Sequence, residues 1–258
     1  MANGGSISTR EPIDALARGA APVVVDADDA TGGLVALVDA YAANAASAGV
    51  GALPLVPLPS GRASKAMVIF LSGDGGWRDP DKTIGEKRQA AGAPVVGRDS
   101  LRYFWRRKSP ERTAADLSAV ISAYRRQWGA DKVALVGYSF GADVLPAAYN
   151  RLPAADRERV TMVSLLGIEA KADWEIRVAG WFGAAPSEQA TPLKPELANI
   201  SGDLVQCYYD AEEKDSECLG LGDPRVELVK TRGAHHFGGD YAAIARDIVA
   251  ALGRRGAL

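Results

Sequence analysis

The chain has 258 residues, of which 47% are hydrophobic and 24% are charged, a composition typical of a globular domain. Its formal net charge of −2 excludes a general attraction to nucleic acid or acidic membranes, so any anion site must be local. No apolar run approaches the ~20 residues of a membrane-spanning helix. The start, MANGGSISTREP, lacks the apolar core of a signal peptide, which fits a cytoplasmic chain or one whose leader was removed.

Residues 1–60 are predicted to be an N-terminal extension, or the remnant of an upstream domain, ahead of a catalytic domain at 61–258. This region holds a helical stretch from residue 34 to about residue 46. The segment GALPLVPLPSG follows it, and its three prolines suit an edge strand or a linker better than a central strand.

From Ala66 onward, short apolar runs alternate with helical patterns. The predicted helices include 109–129, with Ser109 as its N-cap and Gly129 at its end, and the last segment, 241–252. Such alternation predicts an α/β fold, a mostly parallel central sheet with helices on both faces. The predicted strands are AMVIFL (66–71), APVVG (93–97), KVALVG (132–137), VTMVSLLG (160–167), LVQCYY (204–209) and VELVK (226–230).

The pentapeptide GYSFG (137–141) lies between a predicted strand and a predicted helix. Gly-x-Ser-x-Gly in this context is the sequence of a nucleophile elbow, in which glycines relieve crowding around a strained serine. The new helix also directs its amides and its positive end toward a developing anion. Ser139 is therefore the candidate nucleophile, and a glycine turn with a spectator serine is the alternative.

A serine nucleophile needs a base and an orienting acid. The only two histidines are adjacent, in TRGAHHFGGDY, after the last strand, which matches the chain order Ser, acid, His. His236 is predicted to be the base, with His235 pointing elsewhere. Asp215 is the favoured acid and Glu213 the second choice, whereas Asp210 lies too close to the strand end to turn toward the histidine.

The loop LSGDGGW (71–77) follows an early strand. Folds with a nucleophile elbow place part of the oxyanion hole, the backbone amides that stabilise a developing negative charge, in such a loop. One donor is then the amide of Phe140 and the other that of Asp74, with the amide of Gly75 as the alternative. Read as a dinucleotide fingerprint, the loop fails, because the third glycine is replaced by Arg78. No metal site is evident, and the two cysteines, 11 positions apart, are compatible with a disulfide in an oxidising compartment.

The longer strings around these motifs resemble the VirJ/AcvB family of bacterial virulence proteins. They include VIFLSGDGGW, DSLRYFWRRKSPE, KVALVGYSFGADVLP, LVQCYYDAEEKDSEC and GAHHFGGDY, and the resemblance spans residues 66 to 250. It implies an α/β-hydrolase fold with Ser139 as the nucleophile. Arg98 stands where an aromatic residue is expected, a departure at the predicted pocket rim.

The resemblance also implies a periplasmic serine hydrolase that removes lysine from lysyl-phosphatidylglycerol, with no cofactor. The expected partners are this aminoacylated phospholipid and a membrane surface that the protein contacts peripherally. The alternative is a non-catalytic periplasmic scaffold that assists type IV secretion through contacts with secretion-system proteins.

Given this substrate, RDSLRYFWRRK (98–108) is predicted to border the active site, with Arg102 and Arg106 contacting the lipid phosphate. Asp74 is predicted to face the ammonium group of the lysyl ester. Cys207 and Cys218 are predicted to be bridged. Further carboxylates available to a cationic acyl group are Asp143, Glu169, Asp173 and Glu175.

Overall fold

The computed structural model describes residues 50–90, 92–177, 185–210 and 216–257. Their strands are β1 (Leu55–Leu58), β2 (Ala66–Leu71), β3 (Val95–Arg98), β4 (Lys132–Tyr138), β5 (Val160–Leu166), β6 (Lys171–Ala172), β7 (Thr191–Pro192), β8 (Val205–Asp210) and β9 (Glu227–Thr231). Their α-helices are α1 (Asp79–Ala90), α2 (Ser100–Tyr103), α3 (Pro110–Trp128), α4 (Phe140–Asn150), α5 (Ala154–Arg157), α6 (Lys194–Ala198) and α7 (Tyr241–Arg254). Short 3-10 turns cover Gly202–Leu204, Glu217–Gly220 and Ala234–Gly239.

Seven of the described strands form one sheet in the order β1-β3-β2-β4-β5-β8-β9. Only β1 is antiparallel to its neighbour, β3, and every other pair is parallel. The short strands β6 and β7 pair separately. The α/β architecture predicted from alternating apolar and helical segments is confirmed.

Helices cover both faces of the sheet because its strands are apolar on both sides. Successive residues of β2 enter two separate buried clusters, with Met67 and Ile69 in one and Val68 and Phe70 in the other. The first cluster includes α3 and α4, and the second includes α1 and α7. Continuous apolar runs of this kind are typical of strands buried on both faces.

Capping residues fix the ends of the long helices, and for α3 they are the two residues that the sequence predicts. Oγ of Ser109 accepts the amide of Arg112 at 3.1 Å at the start of α3. Gly129, with φ 65°, ends the same helix in the left-handed conformation. Oδ1 of Asp240 accepts the amide of Ala243 at 3.0 Å at the start of α7.

The sheet begins before the boundary that was predicted at residue 60. Strand β1 pairs with β3 at the edge of the sheet, with Pro57 opposite Val96. An edge position tolerates Pro57 because the amide that proline lacks is not needed there. The predicted edge strand is thus part of the main domain, and the rest of the predicted extension, residues 1–49, lies outside the described residues.

Candidate active site

The nucleophile elbow lies between β4 and α4. Ser139 has φ 50° and ψ −123°, a strained backbone that is uncommon for a residue with a side chain. A Cβ at Gly137 would lie 2.5 Å from O of Gly141, and one at Gly141 would lie 2.3 Å from O of Leu71. Both glycines of the motif are required sterically, and the predicted strand–turn–helix geometry is confirmed.

His235 supplies the imidazole beside this serine. Its Nε2 atom lies 2.8 Å from Oγ of Ser139, which is hydrogen-bonding distance. The predicted contact between Ser139 and His236 is therefore wrong. Nδ1 of His236 instead lies 3.0 Å from the hydroxyl of Tyr138, the residue that precedes the nucleophile.

The turn before the two histidines determines which ring faces the serine. Ala234 has φ 55°, and its N–H donates to Oδ2 of Asp210 at 2.9 Å. His235 packs closely on Gly167, where a Cβ would lie 3.1 Å from the ring. Since adjacent side chains leave the backbone in different directions, this turn brings only His235 to Ser139.

The predicted acid lies in the loop 211–215, which is outside the described residues. That loop contains both Asp215 and Glu213, so the choice between them stays a prediction. The segments on either side of it are joined by a disulfide between Cys207, in β8, and Cys218. The predicted bridge is confirmed.

The residues predicted for the oxyanion hole lie beside the nucleophile. Phe140 is the first residue of α4, and a helix does not use its first amides in its own ladder. The loop after β2 comes close to the elbow, because a Cβ at Gly73 would lie 3.6 Å from Cβ of Ser139. Asp74, Ser139 and Phe140 line one cleft. Both proposed donors therefore belong to residues that line the same cleft as the nucleophile.

Carboxyl groups dominate the lining of this cleft, which has a volume of about 150 Å³. All of the carboxylates that the sequence suggested for a cationic acyl group line it, together with the cations Lys171 and Arg177. They are Asp74, Asp143, Glu169, Asp173 and Glu175. The predicted grouping of acidic residues around Ser139 is confirmed.

Two of the carboxyl groups are held by neighbouring protein groups. Oδ1 of Asp143 accepts the amide of Glu169 at 2.8 Å, and burial raises the pKa of Asp143 well above its ordinary value. Asp173 accepts hydrogen bonds from Ser187 and pairs with Arg177 at 3.5 Å. Burial thus disfavours the charged form of Asp143, and the nearby Arg177 offsets the charge of Asp173.

Three carboxylates remain to set the charge of the cleft. Within the described residues, Asp74, Glu169 and Glu175 take part in no ion pair, and Lys171 is the cation of the lining that is left to oppose them. The described residues also contain no group of three His, Cys, Asp or Glu side chains arranged to hold a metal ion. The described lining of the cleft is therefore acidic.

The profile of the bacterial virulence protein (VirJ) family matches residues 65–256. The chain belongs to the VirJ family. This match covers the elbow, both histidines and every carboxylate of the cleft, and it confirms the family resemblance. No curated protein matches the chain.

Solved structures show the fold of this VirJ-family chain. The esterase domain of a Rhodothermus marinus protein is 15% identical, with a TM-score of 0.54 over 78% of this chain and 91% of that one. Est1E from Butyrivibrio proteoclasticus, with bound ferulic acid, is 9% identical, with a TM-score of 0.53 over 80% and 96%. MenH from S. aureus is 11% identical, with a TM-score of 0.57 over 78% and 98%. The α/β-hydrolase fold is confirmed.

The arginine-rich segment after β3 borders the site without entering it. Its residue Phe104 packs edge to face against Phe140, with ring centroids 5.0 Å apart, and O of Phe104 accepts the amide of Ile176, a lining residue, at 2.9 Å. Arg102 and Arg106 are exposed and are not among the residues that line the cleft. Their predicted contact with bound lipid phosphate is therefore not part of the cleft as described.

Arg98 occupies the core and not the pocket rim. Its side chain is fully buried, and its guanidinium carbon lies 3.4 Å from the ring centroid of Tyr103. Burial lowers the pKa of Arg98 from its ordinary value. Where an aromatic residue was expected, the chain thus has a buried arginine that stacks on Tyr103. The expectation that Arg98 alters the pocket rim is wrong.

Proposed function

We propose that this VirJ-family chain is a serine ester hydrolase that removes the lysyl group from aminoacylated phosphatidylglycerol. The observation that carries the proposal is the 2.8 Å contact between Nε2 of His235 and Oγ of the strained Ser139. A histidine at this distance can accept the serine proton as a general base. An activated serine at a nucleophile elbow is the arrangement that acyl transfer needs.

In the proposed mechanism, Oγ of Ser139 attacks the carbonyl carbon of the lysyl ester while His235 takes the hydroxyl proton. The amides of Phe140 and Asp74 stabilise the oxyanion. His235 then donates its proton to the departing glycerol oxygen, leaving a lysyl-serine ester. Water, deprotonated by His235, hydrolyses this ester and releases lysine. Asp215 or Glu213 orients the imidazole, and no cofactor takes part.

The acidic cleft supports a cationic acyl group. A lysyl ester carries two ammonium groups beyond its carbonyl, and burying either one without a partner is costly. Asp74, Glu169 and Glu175 line the cleft with Ser139 and engage in no described ion pair. These three carboxylates can satisfy the ammonium groups with charge-assisted hydrogen bonds.

The disulfide between Cys207 and Cys218 supports the proposed periplasmic location. Structural disulfides persist in oxidising compartments, of which the bacterial periplasm is one, and are rare in the cytosol. The same compartment gives access to the outer leaflet of the inner membrane, where a headgroup hydrolase of this kind would find its substrate.

Fluorophosphonate labelling and lysine release together test the chemistry. Wild-type protein is expected to be labelled and to release lysine from lysyl-phosphatidylglycerol, and Ser139→Ala to do neither. Exchanging His235 for Gln is expected to lower kcat by about 10⁴-fold or more, as removal of a triad base does. His236→Gln is the matched control, one residue away, and is expected to keep most of the activity.

These measurements also separate the two candidate functions. An unlabelled wild-type protein would overturn the hydrolase and favour the non-catalytic secretion scaffold. Labelling with no release of amino acid from lysyl-, alanyl- or arginyl-phosphatidylglycerol would keep the hydrolase and overturn the substrate. Greater loss in His236→Gln than in His235→Gln would contradict the assignment of the base.

Charge removal in the cleft tests the acyl specificity. Asp74→Asn or Glu175→Gln is expected to lower kcat/KM for a lysyl ester by about tenfold or more, since a hydrogen bond to a charged group contributes roughly 1.5–3 kcal/mol. Activity on an uncharged acyl ester is expected to change much less. Glu188→Gln, an exposed site outside the lining, controls for the loss of charge. Equal losses on both esters would assign these residues to the shape of the cleft.

A further inference from the structure

We propose that a surface beside the cleft docks this chain onto an anionic lipid bilayer. This surface, the basic rim, consists of Arg102, Trp105, Arg106 and Arg107. Its docking would hold the mouth of the cleft against the lipid headgroups. The proposal rests on the proposed function in one respect, namely that the substrate is a lipid. The binding to a bilayer does not depend on hydrolysis and can be measured without it.

An unusual exposure of apolar surface marks the basic rim. Trp105 is 55% exposed, more than any other large hydrophobic side chain among the described residues. The two aromatics before it, Tyr103 and Phe104, are buried and pack edge to face with ring centroids 4.7 Å apart. The segment is thus anchored firmly while Trp105 projects outward. Tryptophan is enriched where proteins meet the interface of a bilayer.

The charge of the basic rim is uncompensated. Arg102, Arg106 and Arg107 are all exposed, and no carboxylate of the described residues lies within ion-pair distance of them. This contrasts with the chain as a whole, whose net charge is −2. A local cluster of unpaired arginines around an exposed Trp105 is complementary to an anionic interface, where each cation contributes about 1 kcal/mol.

The backbone connects the basic rim directly to the cleft. O of Phe104 accepts the amide of Ile176 at 2.9 Å, and the amide of Lys108 donates to O of Trp174 at 3.0 Å. The residues between these two bonds include Trp105 and its two following arginines. Ile176 itself lines the cleft. A bilayer that contacts the basic rim therefore lies within a few residues of the opening to Ser139.

The rim and the cleft carry opposite charges. Anionic phosphates would meet arginines at the rim, while the carboxylates lie inside the cleft and would meet a cationic headgroup. A soluble anion would satisfy the arginines but leave Trp105 in water. A bilayer interface satisfies both at once, which is why we favour it over a soluble anion or an acidic protein.

Vesicle co-sedimentation tests the docking on Ser139→Ala protein, which removes hydrolysis from the measurement. Binding to phosphatidylglycerol-containing vesicles is expected, with little binding to pure phosphatidylcholine. Arg106→Gln/Arg107→Gln is expected to weaken partitioning by about thirtyfold, from two lost cations, and Trp105→Ala by about tenfold. Raising the salt concentration is expected to weaken binding of the parent more than that of the double variant.

A matched double variant controls for net charge. Arg62 and Arg126 are exposed and form no described ion pair, and each lies near the opposite end of the sheet from the cleft. Arg62→Gln/Arg126→Gln is expected to bind vesicles like the parent. Near-ultraviolet circular dichroism, together with hydrolysis of a small soluble ester in the Ser139-containing forms, checks that the rim variants are folded.

Three results would overturn the docking. They are equal binding to anionic and zwitterionic vesicles, equal weakening in the rim and control variants, or no vesicle binding by a protein that releases lysine from detergent-dispersed lipid. Vesicle binding without any lysine release would leave the docking standing and overturn the proposed substrate. The two proposals therefore fail independently.

Discussion

Asp81 is a buried carboxyl group near the loop that carries Asp74, and we expect it to make the stability of the fold depend on pH. It is 2% exposed. Its Oδ2 atom accepts the amide of Arg78 at 3.4 Å, whereas its Oδ1 atom has no partner within the described residues. Burial, aided by the nearby charge of Asp99, raises the pKa of Asp81 from 3.8 to about 7.

The sign follows from comparing the folded and unfolded chains. Between pH 3.8 and about 7, Asp81 is ionised in the unfolded chain and protonated in the folded one. The folded state therefore binds more protons, and the free energy of unfolding falls as the pH rises through this range. Over the whole interval the free energy of unfolding falls by about 4 kcal/mol, at about 1.4 kcal/mol for each unit of pKa. About 3 kcal/mol of this loss falls between pH 5 and pH 8.

Replacing Asp81 with Asn removes the titrating group and keeps an oxygen acceptor for the amide of Arg78. In urea denaturation, wild type is expected to be less stable at pH 8 than at pH 5. This loss of stability is expected to be about 3 kcal/mol smaller in Asp81→Asn. Asp247→Asn, at an exposed position of α7, is expected to behave like wild type. The same pH dependence in wild type and Asp81→Asn would refute the argument.

Three further predictions concern the frame of the site. Removing the Cys207–Cys218 bridge, which spans 11 positions, is expected to cost about 3 kcal/mol in urea denaturation, and an unchanged midpoint under reductant would contradict this. Gly141→Ala is expected to lower the free energy of unfolding by about 3 kcal/mol, because its Cβ would collide with backbone. Gly61→Ala, with open space around it, is the control and is expected to be neutral. Equal effects of the two substitutions would refute the steric explanation. Tyr138→Phe is expected to cost about 1 kcal/mol and to keep fluorophosphonate labelling, so loss of labelling would show that the hydroxyl serves the site.

The elbow could be predicted because its geometry is encoded locally. Gly137 and Gly141 flank the serine where the backbone of the strand, the turn and the helix come too close for a Cβ, and apolar runs define the elements on both sides. The acidic residues of the cleft could be anticipated as a set, since they follow strands whose carboxyl ends share one edge of the sheet. Local sequence and parallel-sheet topology were sufficient for these features.

The choice between His235 and His236 could not be predicted, because it depends on contacts between distant segments. Asp210 fixes the turn before the histidines, and Tyr138 lies close to His236. Nothing in the local sequence distinguishes the two rings. The burial of Arg98 is similar, because a charged residue near a strand end is expected to be exposed, whereas here its guanidinium stacks on the buried ring of Tyr103.

The positions of the two charge clusters suggest how a headgroup could be selected at a membrane. Lysylation changes an anionic phosphatidylglycerol into a cationic lipid, so a protein attracted only by positive charge would be repelled by the surrounding anionic lipids. A protein attracted only by negative charge would dock without discriminating between them. In this chain the arginines beside Trp105 are exposed, whereas the free carboxylates lie in the cleft with Ser139. Docking and recognition would thus use opposite charges on adjoining surfaces, and each can be removed by mutation without the other.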